Sequence, residues 1–551
     1  MAAIDLYSGI GGWTLGFRMA GIPVVASYEW WKDANLTHNK NLGSTHAVTN
    51  IRTLPLEDLP SKKGVKFVVG SPPCTQFSLS NRGGKGDIKD GLVDIKKFLE
   101  VVEYMQPKYW AMENVPRVAG ILEKELTSGG ELERFLHLFD DIKVYNSADF
   151  GVPQDRKRMI AGKFPFDLMD AYAKTTTRLN LGEVLAALEQ APYRDPIYGI
   201  TVDALTDQVR EPKLSKEETR INWESKTHHP VYNMMSFPDR QDRPSRTITA
   251  LCTRVSRESI IIQDSLNDLR RLTVRERGLI QSFPINYQFF AKSYQGKLKM
   301  IGNAIPPLLT FYIAQSMLDT PVDKLRRPTE VGDKLKLGEE QAKAFTPDNE
   351  GTTFSWSRSF WFAISGLRFG SGVRFELRNK SDKEKKITGW QIHFFYGPSK
   401  NIKEKVLDEE LLKKALQVGH LEQDTAFQDL FKELQHLIGK VNPKDLQDNW
   451  TRHTNEGSSN MGPIDLIDQL AGFAANLKVL LRDKGKSFHS AADLYVFEEF
   501  EDEGTNKNEL KKLVKFSVSI LSGIIIGAAF NTLLKGGAVN LKPARKSKVR
   551  A

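Results

Sequence analysis

The pattern of apolar and polar positions changes character twice along the chain. Up to about residue 160, short apolar runs alternate with longer amphipathic stretches. Ala3-Ile-Asp-Leu-Tyr7, Pro23-Val-Val-Ala-Ser27, Val65-Lys-Phe-Val-Val-Gly70 and Tyr109-Trp-Ala-Met-Glu113 read as strands. A glycine-rich turn and a helix through Phe17 follow the first, and a helix over 92–105 precedes the last. Strands alternating with helices predict an α/β fold on a doubly wound, mostly parallel sheet. Over 162–270 the rhythm fades and turn residues gather, among them Pro230, Pro238 and Pro244. It returns at Arg271 and closes with an apolar helix near 305–318. Residues 321–350 are polar, with Pro321, Pro328, Gly332, Gly338 and Pro347, and read as a linker. Beyond them, 353–397 is aromatic and strand-like, whereas 403–438 and 463–483 are helical, so an extra α+β domain is expected over 351–534.

One segment is long and apolar enough to question. Residues 516–534 carry no charge between Lys515 and Lys535, which is the lower end of a bilayer span. Three serines, Thr532 and Asn531 favour a buried core helix, and Gly523 and Gly527 suit close packing. Membrane contact is therefore not expected. The start, Met1-Ala-Ala-Ile, has no basic region or long apolar run, so no secretory leader is expected.

Composition adds little until it is located. The chain holds 78 Lys+Arg against 68 Asp+Glu, a formal charge of +10. That excess is a weak sign of a nucleic-acid partner. Six of the basic residues, and no acid, lie in the tail Lys535–Ala551. Two cysteines, Cys74 and Cys252, exclude a disulfide framework and a cysteine-rich zinc site. A reducing, cytoplasmic setting without a metal centre is expected.

The candidate chemistry lies at strand ends. Asp5-Leu6-Tyr7-Ser-Gly9-Ile-Gly11-Gly12 joins a strand to a helix, where glycines let backbone approach a ligand. It has no lysine for a triphosphate. Glu29-Trp30 ends the second strand, placing an acid for a ribose and a ring for a base. Cys74 follows Pro72-Pro73 at the carboxyl end of the third strand, where rigid backbone would hold a nucleophilic thiol. Cys252, among apolar residues in a strand-like run, reads as structural. Glu113 ends the fourth strand and would stand near Cys74. Gln154, Arg156 and Arg158 alternate on one strand face. Met300-Ile-Gly302-Asn303 reads as the opening of the last helix.

In this order the motifs resemble the cytosine-5 DNA methyltransferase family over residues 3–318. Arg271-Leu-Thr-Val-Arg275-Glu276 and Gln281-Ser-Phe-Pro284 resemble its ninth motif. The resemblance implies a sheet of the S-adenosylmethionine-dependent methyltransferase type. A catalytic domain over 1–161, closed by 271–320, would hold a small target-recognition domain over 162–270. It implies S-adenosyl-L-methionine as cofactor and attack of Cys74 on C6 of a cytosine flipped out of double-stranded DNA. Glu113 would protonate N3, Arg158 would hold O2, and Arg156 would brace the strand and a phosphate. Asp5, Leu6, Tyr7, Gly9, Gly11, Gly12, Glu29, Trp30, Asn50, Ile51, Pro73 and Asn303 would hold the cofactor. Tyr7 and Asn50 stand where the family has Phe and Asp, and Thr75 where it has Gln. Asn81–Asp87 resembles its mobile loop. A monomer is expected, in a restriction–modification or defence setting, with a cognate restriction endonuclease as candidate partner. One branch of the family acts on tRNA instead, which leaves a tRNA cytosine-5 methyltransferase as the alternative.

The region beyond 330 matches no known pattern. A fused restriction nuclease would need an acidic pair before a Glu-x-Lys-like strand, and Phe375-Glu376-Leu-Arg378 offers only part of one. An accessory DNA-binding or docking module is the favoured expectation. The acid run Glu498–Glu503 reads as a solvated loop.

Overall fold

The apolar alternation of the first 160 residues becomes a six-stranded sheet in the computed structural model. The structure describes all residues except 74–75, 78–86, 228–234, 333–334, 348–354, 370–371, 383, 398–401, 452–459, 502–504 and 536–551, and the side chain at 224. It divides into two units, one of residues 1–213 and 238–348, the other of 214–237 and 349–551.

In the first unit the sheet strands are β1 (Ala2–Leu6), β2 (Val24–Tyr28), β3 (Val65–Gly70), β4 (Tyr109–Asn114), β5 (Asp141–Asn146) and β6 (Lys157–Lys163). Their order is β2-β1-β3-β4-β6-β5. The first four pair in parallel, and β6 lies antiparallel between β4 and β5. Both faces are covered, so the inner strands are apolar on both sides. Along β3, Phe67 and Val69 enter one core and Val68 the other. Strand period thus sends successive side chains to opposite helix layers. The helix Pro307–Met317 returns onto Gly12–Met19. A Cβ on Gly16 would stand 2.6 Å from the Pro307 carbonyl oxygen, and Thr310 Oγ1 donates to the Gly12 carbonyl at 2.8 Å.

Three expectations change here. The stretch 162–270 is split, because 214–237, with the helix Lys216–Thr227, belongs to the second unit. The rest of it holds Leu181–Ala186 and the hairpin of Ile261–Gln263 with Leu269–Arg271. Residues 321–347 are not a free linker. Gly338 N–H donates to the Asn41 carbonyl at 2.8 Å, Ala342 N–H donates to Gln288 Oε1 at 3.1 Å, and Val331 is buried. Backbone groups here are satisfied by the helix end at Asn41 and the Gln288 side chain rather than by solvent alone. Cys252 is buried as expected, but in irregular chain rather than a strand, with the Arg277 guanidinium against its sulfur.

In the second unit, β7 (Trp361–Phe369), β8 (Val373–Asp382), β9 (Ile387–Tyr396) and β10 (Lys403–Lys405) form an antiparallel sheet in chain order. The apolar segment 516–534 is its core helix, Ser517–Leu534, buried along most of its length. Gly523 meets the Phe375 ring, and Gly527 meets Leu407 and Ile392. Asn531 accepts from Ile392 N–H at 2.8 Å and donates to the Ile392 and Leu407 carbonyls at 2.8 and 3.0 Å. Glu376 is buried between Arg374 and Arg378, which take its two oxygens at 2.5 and 2.7 Å. Among the described residues no cluster of three or more His, Cys, Asp or Glu could hold a metal ion. The acid run is no loop at its start, since Glu498–Glu501 ends the helix Lys486–Glu501 and Glu499 pairs with Lys405 at 2.9 Å.

The Asn531 bonds give a direct test. Asn531→Leu raises the helix's hydropathy yet leaves buried backbone groups of Ile392 and Leu407 unpaired. It is expected to lower stability by about 1–3 kcal/mol, seen as a lower urea midpoint for the second unit. An unchanged midpoint would contradict the packing described.

Candidate active site

The carboxyl ends of the parallel strands point to one edge of the sheet, and there the chain opens into a cavity of about 730 Å³. That volume suits a cofactor-sized ligand. The turn after β1 forms one wall. Tyr7, Gly9 and Gly11 take positive φ of 55°, 52° and 89°, a region glycine enters without steric cost and tyrosine does not. A Cβ on Gly9 would meet nothing within 4 Å, so the turn presents bare backbone to open space.

Glu29, just past β2, is fixed against that turn. Its Oε2 accepts from Gly9 N–H at 2.8 Å and its Oε1 from Trp31 N–H at 2.7 Å. Burial raises the affinity of this carboxyl for its proton, and the two N–H donors work against that rise. The neighbouring Trp30 indole is two-thirds exposed at the cavity rim. Lys299 Nζ lies 5.1 Å from the centre of the Trp31 ring. Asn50 and Ile51 line the same end.

At the other end, Glu113 on β4 is buried and pairs with Arg158 on β6, Arg158 Nε to Glu113 Oε1 at 2.9 Å. The antiparallel placement of β6 beside β4 brings them together. Asn114 Nδ2 donates to the Pro72 carbonyl at 3.1 Å, tying the segment before the candidate nucleophile to β4. Trp13 Nε1 donates to Ser71 Oγ at 3.0 Å on the same segment. Cys74 itself lies outside the described residues, as do Asn81–Lys85 and Gly86 of the expected mobile loop.

Twelve sequence-derived candidates line this one cavity: Tyr7, Gly9, Gly12, Glu29, Trp30, Asn50, Ile51, Pro73, Glu113, Arg156, Arg158 and Asn303. Asp5, Leu6 and Gly11 do not. Asp5 and Leu6 belong to β1, whose side chains enter the core, and a Cβ on Gly11 would run into Leu42 and His38. Asp5 is fully buried, accepts from Thr14 Oγ1 at 2.7 Å, and is pushed up to about 8 by burial. Arg156 is committed to backbone rather than to an anion. It donates to the carbonyls of Ile248, Gly302 and Ala304 at 2.9–3.0 Å. Asn303 closes the helix Tyr294–Asn303 instead of opening the next one, because Pro306-Pro307 starts that helix afresh. Trp31, Arg52, Gln76, Asp90, Asp94 and Lys299 also line the cavity and were not anticipated. Of these, Trp31 and Arg52 carry a signal in the sequence as neighbours of Trp30 and Ile51, and Gln76 as part of the segment around Cys74.

The sequence profile of the C-5 cytosine-specific DNA methylase family matches residues 1–319. The type II methyltransferase M.FnuDI of Fusobacterium nucleatum is 26% identical over 356 residues, covering 61% of this chain and 99% of that protein. M.AplI of Arthrospira platensis is 31% identical over 346 residues, covering 60% of this chain and 89% of that protein. The crystal structure of S. pombe Dnmt2 methyltransferase aligns with a TM-score of 0.40 and 19% identity, over 58% of this chain and 98% of its own.

Asp5 supplies a pH test of the turn's foundation. Between the ordinary carboxyl range and about 8, the folded state keeps a proton that the unfolded chain releases. Stability therefore falls as pH rises through that window, by roughly 1.4 kcal/mol per unit, and levels off above it. Asp5→Asn is expected to remove this slope, so that denaturant melts show the variant gaining on the wild type from pH 5 to 8. A stability difference independent of pH would contradict the burial of Asp5 as a neutral acid.

Proposed function

The chain belongs to the C-5 cytosine-specific DNA methylase family, and from that premise we propose that it methylates C5 of cytosine within a specific sequence of double-stranded DNA. The observation that carries this reading is a single cavity with Glu29 and the glycine turn at one end and the Glu113–Arg158 pair at the other.

The residues at the first end fit S-adenosylmethionine by the chemistry of their donor set. Gly9 leaves open space where a side chain would stand, Glu29 is aimed by two backbone N–H groups, and Trp30 offers an exposed ring. Glu29 would take ribose hydroxyls, Trp30 would stack on the adenine, and the Asn50 side-chain carbonyl would accept from its amino group. When bound, S-adenosylmethionine supplies an electrophilic methyl group.

The other end prepares the base. C5 of cytosine is a poor nucleophile until the ring's aromaticity is broken. Addition of the Cys74 thiolate at C6 does this, with Glu113 holding a proton at N3 and Arg158 donating to O2. C5 then has enamine character. Once C5 carries the methyl group, its remaining proton leaves to a base, the Cys74 sulfur is expelled from C6, and N3 returns its proton to Glu113 as the ring is restored. The target cytosine has to leave the duplex to reach this edge of the sheet. Arg156 acts behind the site, clamping the loops at Ile248 and at Gly302–Ala304 to the strand that carries Arg158. The remaining recognition segments, 162–213 and 238–270, supply the base readout. The setting we favour is restriction–modification in the cytoplasm, with the chain acting as a monomer beside a cognate endonuclease.

Bisulfite sequencing of DNA from cells expressing the chain tests the proposal. A recurrent methylated sequence that disappears in Cys74→Ser is expected, with Glu113→Gln reducing methylation by about 100-fold or more. Unmodified DNA accompanied by methylated tRNA cytosine would overturn it.

A further inference from the structure

Arg52 follows the Asn50-Ile51 pair at the cofactor end of the cavity, and no motif singles it out. Its guanidinium forks onto Asp94, Nε to Oδ1 at 2.9 Å and Nη2 to Oδ2 at 2.7 Å. The same group reaches Asp90, Nη1 to Oδ1 at 2.8 Å and Nη2 to the backbone carbonyl at 3.1 Å. Asp94 is nearly buried and also accepts from the Tyr7 hydroxyl at 3.2 Å, so the strained turn after β1 joins the same carboxylate. The second oxygen of Asp90 accepts from Gln76 Nε2 at 3.1 Å, and Gln76 Oε1 accepts from Asp87 N–H at 3.0 Å. Asp87 in turn caps the helix Ile88–Met105 through Lys89 and Asp90 N–H.

Four segments are therefore linked through one guanidinium and its two carboxylates: the turn at Tyr7, the loop Asn50–Arg52, Gln76 two residues past Cys74, and the start of the helix Ile88–Met105. An exposed Arg–carboxylate pair contributes little by itself. A forked pair on a buried carboxylate fixes direction as well as distance. The bonds to Asp94 and Asp90 also strengthen the hold of Arg52 on its proton, so the charge is present at every working pH.

We propose that Arg52 is a positioning residue that holds the cofactor end of the cavity in one geometry with Gln76, two residues past Cys74 in the chain, through Asp90. This rests on the methyl-transfer reading, yet it has a readout that needs no catalysis. Cys252 is buried, so among the two thiols alkylation reports Cys74. The rate of iodoacetamide labelling at Cys74, located by mass spectrometry without cofactor or DNA, is expected to change by about threefold or more in Arg52→Ala and in Gln76→Ala. The double variant is expected to match the larger single effect, because both act through Asp90. At saturating S-adenosylmethionine, kcat on unmethylated DNA of mixed sequence should fall about tenfold in each, with KM for the cofactor changing less. Arg52→Lys, which keeps the charge but not the fork, should recover part of the loss. Should Arg52→Ala unfold, Gln76→Ala and Arg52→Lys carry the comparison. Wild-type labelling rates in the variants, single effects that multiply in the double variant, or a loss confined to the cofactor KM would overturn the proposal. A wild-type chain that labels as expected but methylates no DNA would instead overturn the functional reading and leave the Arg52 link standing.

Discussion

The site depends on a seam between the helices Gly12–Met19 and Pro307–Met317, where glycines leave room for close backbone approach. Gly12 and Gly16 on the helix Gly12–Met19 face the segment Ile305–Thr310, and a Cβ at either would collide with its backbone. The contact is sealed by Thr310 donating to the Gly12 carbonyl. This approach closes the start of the first unit onto its residues 305–310. It also determines where the residues before Pro307 lie. Gly302, Asn303 and Ala304 arrive beside the turn after β1, and Arg156 finds the Gly302 and Ala304 carbonyls there. The cavity exists because the end of the catalytic region is brought within van der Waals reach of its beginning.

Around that seam, charge is handled in two ways. Buried groups are committed to structure. Asp5 is held neutral, Arg156 donates to three backbone carbonyls, and Glu376 in the second unit is divided between two arginines. Groups facing the cavity are oriented but keep capacity for a ligand. Glu29 receives two backbone N–H bonds that still leave it acceptor sites, and Glu113 meets Arg158 through one oxygen. An unpaired buried charge is costly, so each is either neutralised or placed where solvent and substrate can reach it.

Much of this was legible in the sequence because it is local. Strand period places β1 to β4 within a residue or so, and Glu29, Pro73 and Glu113, at or near the carboxyl ends of their strands, line the cavity. Where the structure differs from the sequence reading, the reasons are physical. Asp5 and Leu6 do not line the cavity, because both are buried in β1. Asn303 ends one helix rather than opening the next, because Pro306-Pro307 breaks the helix and starts it afresh. Composition reads 321–350 as a linker because hydrogen bonds to Asn41 and Gln288 leave no trace in it. The Arg52 network was invisible for the same reason: its partners Asp90 and Asp94 lie about 40 residues away and are ordinary helix-surface acids by sequence. The membrane question at 516–534 turned on Asn531, whose three bonds to strand and loop backbone identify a core helix.

The central claim is that the glycine turn and Glu29 form a cofactor site independent of DNA. Titration calorimetry of S-adenosylmethionine into the purified chain, with no DNA present, tests it most directly. One site of micromolar affinity is predicted, weakened by about tenfold or more in Glu29→Ala, which corresponds to about 1.4 kcal/mol of lost binding. Absence of binding, or binding that Glu29→Ala leaves unchanged, would contradict the account.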